Sequence, residues 1–141
     1  MAEEGSITYA GHSAAAPRAD RRIDVDGFLM PAVADRHVHI RLADPAAVLM
    51  GGVVAVRDLA WPSDDIFALA DASELPTFNG PVVRAAGPML TAPGGYPTTE
   101  QWAPAGTGLE VGGAEEAAEA VGVLADRGAA AIKVSLNSEA G

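Results

Sequence analysis

From residue 32 onward, the chain alternates short apolar runs with longer mixed segments. The apolar runs have the length of strands and cover residues 33–40, 53–59, 82–86 and 130–136. Segments with helical spacing lie between them, near residues 45–50, 64–72 and 114–127. Strands that alternate with helices are typical of parallel βα units, so the pattern predicts an α/β fold.

The last helical segment has the clearest spacing. Its apolar positions share one face and are Ala117, Ala120, Val121 and Leu124. Glu115, Glu116 and Glu119 lie toward its N-terminal end, where negative charge is favourable. Gly128, directly after Arg127, is expected to end the helix as a C-terminal cap.

Residues 1–31 have weaker signals, with strand-like runs at 6–10 and 23–29 separated by a polar, alanine-rich loop. Two short strands cannot bury a core alone, so this part should pack on something else. We therefore expect an N-terminal β segment over 1–31 and an α/β part over 32–141. A Gly-, Pro- and Thr-rich loop covers residues 88–113, and loops of that length in compact folds are usually functional.

Composition narrows the class of partners. The 141 residues carry a formal net charge of −10 and include no cysteine. Nucleic acid and anionic membrane surfaces select for positive patches, so neither is an expected partner. The acidic N-terminus does not look like a signal peptide, and no apolar run approaches the ~20 residues of a membrane span. We expect a cytoplasmic protein.

Side-chain alternation places three polar residues on one face of the first apolar run. These are Asp35, His37 and His39, and two imidazoles on one strand face can chelate one metal ion. The alternative is a pair of polar residues on a half-exposed strand, because a bare His-x-His is weak evidence. Arg36 falls on the opposite face, where we expect its stem to carry the guanidinium to solvent.

Lys133 is the only lysine of the chain. It lies in the run 130–136, where Lys133 and Ser135 face away from Ile132, Val134 and Leu136. A neutral lysine amine can add carbon dioxide and become a carbamate, an anionic oxygen ligand for metals, whereas a guanidinium cannot. The alternative is a structural lysine that reaches the edge of the sheet or pairs with a carboxylate.

Two further stretches leave alternatives open. Arg57 and Asp58 end the second apolar run, and an internal ion pair is favoured over substrate contact because buried charges are usually paired. Residues 94–97, which include Tyr96, can either contact substrate or pack the loop.

Several of these stretches occur as an ordered set. Asp-Val-Asp-Gly at 24–27 leads into Met-Pro-Ala-Val-Ala-Asp-Arg-His-Val-His at 30–39. Then follow Gly-Val-Val-Ala-Val-Arg-Asp-Leu at 52–59, Leu-Thr-Ala-Pro-Gly-Gly at 90–95 and Gly-Ala-Ala-Ala-Ile-Lys-Val at 128–134. In this order and spacing the set resembles the amidohydrolase superfamily of metal-dependent hydrolases, in its imidazolonepropionase-like and Xaa-Pro-dipeptidase-like branch.

The resemblance implies that residues 32–141 are the first half, strands one to four, of a (β/α)8 TIM-like barrel, preceded by part of a composite β-sandwich. It implies that His37 and His39 bind a divalent metal, with zinc expected, and that carboxylated Lys133 bridges two ions in binuclear members. A metal-bound water would attack an amide, dipeptide, ester or lactone carbonyl of a small-molecule substrate.

Many relatives continue Gly-Gly-His where this chain has Gly94-Gly95-Tyr96, so Tyr96 is expected to bind substrate through a hydrogen bond. A small residue is common where this chain has Arg36.

A full barrel takes ~250 residues. The family's two later histidine ligands and its strand-eight aspartate, the proton shuttle, have no counterpart in this sequence, so we expect no catalytic residue here. The chain is predicted to be active only with a C-terminal half of the barrel, as a missing segment or a second chain. The alternative is an inert, truncated α/β module that self-associates through open sheet edges.

Overall fold

The computed structural model describes residues 1–136. It divides into two compact units, one comprising Met1–Met30 and the other beginning at Pro31. The division lies one residue before the boundary expected from the sequence. Each unit is described below by itself.

The first unit contains a small antiparallel hairpin. Strand β1 is Ala2–Glu3 and strand β2 is Ser6–Ile7, and Gly5 takes the positive φ of 76° that the turn between them needs. The predicted strand at 6–10 is therefore much shorter than expected. The predicted strand at 23–29 is wrong, because these residues have no strand conformation and no neighbouring strand pairs with them in Met1–Met30.

The second unit is built on a parallel sheet. Strands β3 (Val33–Val38), β4 (Val53–Asp58) and β5 (Val82–Ala85) form it in the order β3-β4-β5. Helices α1 (Pro45–Met50) and α2 (Ser63–Ser73) form the crossovers between consecutive strands. The predicted alternation of strands and helices is confirmed, and with it the α/β class.

The ends of the helices follow from local sequence. Helix α1 begins after Asp44, whose carboxylate accepts a hydrogen bond from the Ala46 N–H. Helix α3 covers Ala114–Asp126, and Gly128 takes a positive φ of 87° just beyond it. That conformation favours glycine at the end of a helix, so the predicted C-terminal cap is confirmed.

The long predicted loop at 88–113 contains two strands of its own. Strands β6 (Met89–Thr91) and β7 (Gly108–Glu110) pair in parallel within it. The predicted strand at 130–136 is reduced to one parallel bridge between Val134 and Leu90. Backbone hydrogen bonds of 2.8 Å from Ala130 N–H to Ala85 O and from Ser135 N–H to Leu90 O hold the segment there.

The hydrophobic core lies between the sheet and the helices that cover one of its faces. Its most deeply buried members are Ile40, Ile66, Val83 and Leu124. The part of the chain that the structure describes forms no closed barrel. None of its helices is long and apolar enough to cross a membrane.

Candidate functional site

A cavity of about 250 Å³ opens beside the end of β3. Its lining brings together distant parts of the sequence: His37, His39, Met89, Tyr96, Lys133, Val134, Ser135 and Leu136. All four residues that the sequence singled out as metal ligands or substrate contacts are among them. Val134 and Leu136 line it beside Lys133 and Ser135, because the segment is not the regular strand that alternation assumed.

The two histidines lie at the carboxyl end of β3. His37 is the exposed penultimate residue of the strand, and His39 follows the strand and is half-buried. Their ring centroids are 6.2 Å apart, and the rings are nearly perpendicular at 77°. Two imidazoles bound to one tetrahedral zinc place their centroids ~5 Å apart, so a small side-chain rotation would allow both to hold one ion.

The ring of His39 is held from two directions. Its Nδ1 lies 3.0 Å from the carbonyl oxygen of Ala60, and the Trp102 ring packs against it at a centroid distance of 4.5 Å. A carbonyl only accepts hydrogen bonds, so Nδ1 carries a proton, and in the neutral ring the lone pair then lies on Nε2. This arrangement is the usual one for a histidine that binds metal through Nε2.

Trp102 is a site residue that sequence reasoning noted only as part of the long loop. Its ring centroid lies 6.1 Å from that of Tyr96 and 4.5 Å from that of His39, so it neighbours both rings. The signal in the sequence is a pair of aromatic residues in a loop otherwise rich in Gly, Pro and Thr.

The loop that carries Tyr96 is closely packed. A Cβ atom on Gly95 would lie 2.2 Å from the Thr91 hydroxyl oxygen, so only glycine fits there. The Gly94 N–H donates to a carboxylate oxygen of Glu110 at 2.9 Å. These contacts fix the backbone directly before Tyr96.

Lys133 reaches the cavity from an ordered backbone. Its carbonyl oxygen accepts a hydrogen bond of 2.8 Å from the Leu90 N–H, and its side chain is half-buried. Among residues 1–136, no carboxylate forms a salt bridge with its ammonium group. The structural alternative of an ion-paired lysine therefore finds no partner in that part of the chain.

Asp58 does not form the predicted ion pair with Arg57. Its side chain is fully buried and accepts hydrogen bonds from the N–H groups of Ile40, at 2.7 Å, and Ala60, at 3.1 Å. Arg57 is exposed on the other face of β4, because neighbouring strand residues point in opposite directions. Burial raises the pKa of Asp58 to about 6, although both hydrogen bonds act in the opposite direction.

The remaining polar residues of β3 have local roles. Asp35 accepts a hydrogen bond of 3.0 Å from the His37 N–H and does not line the cavity. Arg36 is exposed, as expected from its position. Within residues 1–136, no group of three or more His, Asp or Glu side chains is arranged to hold a metal ion.

No protein-family model matches the chain. No curated protein matches it either. The chain is similar to a crystal structure of an uncharacterized protein, with a TM-score of 0.63 and 22% sequence identity. The match covers 82% of this chain and 37% of the other, so the chain spans little more than a third of that protein. At this identity the likeness shows the fold alone.

Proposed function

We propose that this chain supplies the first half of a metal-dependent hydrolase of the amidohydrolase type. The observation that carries the proposal is the shared cavity. His37, His39, Tyr96 and Lys133 come from three separate parts of the sequence, yet all line it. The same residues are the ones that the resemblance assigns to metal and substrate.

The order of the strands supports the half-barrel. Strands β3, β4 and β5 are parallel and adjacent in sequence order, and the segment 130–135 bonds to Ala85 and Leu90 as the next parallel neighbour. Active sites of (β/α)8 barrels lie at the carboxyl ends of the strands. The position of the two histidines at the carboxyl end of β3 supports the half-barrel proposal. A C-terminal half would add the remaining strands and ligands.

The donor set fits part of a metal site. Nε2 of His39 has its lone pair free, because Nδ1 faces the Ala60 carbonyl. His37 offers a second imidazole on the same cavity wall, and Lys133 offers an amine that can become a carbamate. A divalent ion, with zinc expected, would supply an activated water for attack on an amide, dipeptide, ester or lactone carbonyl. The Tyr96 hydroxyl would orient the substrate by hydrogen bonding.

Zinc retention tests the metal site directly. The wild-type chain, His37→Ala and His12→Ala are loaded with zinc, dialysed under the same conditions and analysed for bound metal. His12 lies in the first unit and is exposed, so His12→Ala is a matched control for loss of an imidazole. We expect His37→Ala to lose zinc while His12→Ala retains the wild-type amount. Equal retention by both variants would contradict the proposal.

Hydrolysis is tested on the chain alone and with a C-terminal half. The neighbouring coding sequence is the place to seek that half, as a frame with two histidines and an aspartate after barrel-like strands. We expect no turnover of amide, dipeptide, ester or lactone substrates by this chain alone, and turnover once the half is added. Robust hydrolysis by the isolated chain would show that the split-site proposal is wrong.

The second candidate is an inert α/β module that self-associates, and two exposed apolar side chains near the end of the described residues favour it. Among residues 1–136, Leu136 is 90% exposed and Val134 is 49% exposed, and an exposed apolar surface favours contact with another chain. Size-exclusion chromatography with light scattering separates the candidates. Concentration-dependent dimers without zinc retention would favour the module, whereas a monomer that retains zinc would favour the hydrolase.

A further inference from the structure

Asp58 joins the ends of two neighbouring strands beside His39. It is the last residue of β4, and its two carboxylate oxygens have different partners. Oδ2 accepts from the N–H of Ile40, the residue after His39, at 2.7 Å. Oδ1 accepts from the N–H of Ala60 at 3.1 Å, and the carbonyl of the same Ala60 faces Nδ1 of His39 at 3.0 Å.

We propose that Asp58 is a positioning residue for His39. It holds the backbone N–H of Ile40, next to His39, and the N–H of Ala60, the hydrogen-bond partner of the ring, so that Nδ1 is protonated and Nε2 faces the cavity. The inference deepens the proposed function and rests on it for the use of Nε2 as a metal ligand. The tautomer itself is a property of the chain without metal.

The chemistry of the carboxylate explains why this residue type is needed. An ionised carboxylate only accepts hydrogen bonds, and its two oxygens can hold two N–H donors at a fixed separation. One donor belongs to Ile40 and the other to Ala60, so His39 is restrained through its own backbone and through its ring partner. An asparagine would present an NH₂ group to one of these donors, and the two donors would face each other.

The surroundings strengthen this restraint. The Asp58 side chain has no exposed surface, so water cannot replace either hydrogen bond without opening the core. On its other side, the His39 ring packs against Trp102. The carbonyl of Ala60 therefore decides which ring nitrogen is protonated. Asp58 restrains the same residue through its N–H, and the Trp61 N–H, in the same peptide plane as that carbonyl, donates to the Gly87 carbonyl oxygen at 3.4 Å.

Nitrogen-15 NMR of the histidine rings in the metal-free chain tests this inference. The spectra are recorded at about pH 8, where an ordinary imidazole is neutral. The chain has three histidines, so His12→Gln and His37→Gln assign the remaining signals to His39. We expect the wild-type His39 to be almost entirely the Nδ1–H tautomer. Asp58→Asn should shift it to a mixture with a several-fold larger share of Nε2–H.

Two further variants separate positioning from a purely structural role. Asp44→Ala also removes a carboxylate that accepts a backbone N–H, at the start of α1, and should leave the His39 tautomer unchanged. Asp58→Ser keeps an oxygen that can accept from the Ala60 N–H two residues on, so it should retain more Nδ1–H than Asp58→Asn. If Asp58→Asn does not fold, Asp58→Ser and the wild type decide the question.

The inference is overturned by an Nε2–H tautomer in the wild type. A folded Asp58 variant whose His39 remains entirely Nδ1–H would also overturn it. These outcomes differ from failure of the proposed function, which is read from zinc. A chain with the expected tautomer and no specific zinc retention would contradict the hydrolase proposal and leave the role of Asp58 intact.

Discussion

Leu124 and Val123 are neighbours on α3, yet the side chain of Leu124 is 2% exposed and that of Val123 is 55% exposed. Leu124 belongs to the core and packs against Gly87, where a Cβ atom would lie 3.0 Å from Leu124 Cδ2. The positive φ of 79° at Gly87 brings the backbone close to the helix. The contact ties the segment between β5 and β6 to α3.

Truncation of these two neighbours should therefore have unequal effects. Leu124→Ala removes buried methyl groups and leaves a cavity, so we expect it to lower the free energy of unfolding by about 2–5 kcal/mol. Val123→Ala should change it by less than about 0.5 kcal/mol. Urea denaturation followed by circular dichroism measures both. Equal losses would show that α3 does not pack on the core through Leu124.

The raised pKa of Asp58 predicts a particular pH dependence of stability. Its pKa is about 6 in the folded chain, against ~3.9 for an ordinary aspartate. The folded state binds the proton more tightly, so this group's contribution to stability is largest below pH ~4 and is lost as the pH rises to ~6. The loss is about 2–3 kcal/mol.

Comparison with Asp58→Asn isolates this contribution from the other titrating groups. The unfolding free energy of the wild type minus that of Asp58→Asn should fall by about 2–3 kcal/mol from pH ~4 to pH ~7, because only the wild type loses a proton there. Ser73→Ala is the control, because Ser73 is buried, accepts the Val83 N–H at 2.9 Å and does not titrate in this range. Its effect should be the same at both pH values. A pH-independent difference for Asp58→Asn would contradict the shifted pKa.

Carbamate formation at Lys133 can be observed directly, because the chain has only one lysine. In ¹³C-labelled bicarbonate with zinc, we expect a carbamate carbon signal from the wild type that is absent from Lys133→Arg, since a guanidinium does not react. The amino group of Met1 is the other primary amine, and any signal from it persists in the variant. With a C-terminal half present, short carboxylates that occupy the vacated position should restore part of the activity that Lys133→Ala loses.

The metal content and the activity of the Lys133→Arg variant decide whether the carbamate has a function. A Lys133→Arg variant that keeps full metal content and full activity in the presence of a C-terminal half would reduce Lys133 to a structural residue. His37 and His39 would then be the proposed metal ligands that remain.

Two Gly→Ala substitutions should act in opposite directions. Gly95→Ala places a Cβ atom 2.2 Å from the Thr91 hydroxyl oxygen and 2.9 Å from the Ala92 carbonyl oxygen, so we expect a loss of about 1–3 kcal/mol. Gly122→Ala lies in α3 with nothing within 4 Å of its Cβ and should stabilise by about 0.5–1 kcal/mol. Thermal unfolding measures both. A neutral Gly95→Ala would show that the loop before Tyr96 is free to move.

The sequence predicted the α/β elements of the second unit to within one or two residues for β3, β4, β5, α2 and α3, because their spacing and caps are local properties. The runs at 23–29 and 130–136 were predicted less well. Whether such a run forms a strand depends on a neighbour to bond with. Phe28, fully exposed, has no such neighbour in its own unit.

Site residues divide in the same way. The sequence identified four chemistry-bearing residues, and all four line one cavity: His37, His39, Tyr96 and Lys133. The role of Asp58 was not visible, because an aspartate at a strand end looks the same whether it pairs with Arg57 or accepts backbone N–H groups. Its position on the same strand face as the buried Val56 was the signal against the ion pair.

The sheet of the second unit grows in the order of the sequence, each strand pairing with the one before it. Synthesis from the N-terminus therefore allows β4 to add to β3, and β5 to add to β4, as soon as each leaves the ribosome. Each addition closes a loop of only a few tens of residues, which keeps the entropic cost low. At every stage the newest strand is the edge, so the growing chain always presents one unpaired row of backbone groups in the direction of synthesis.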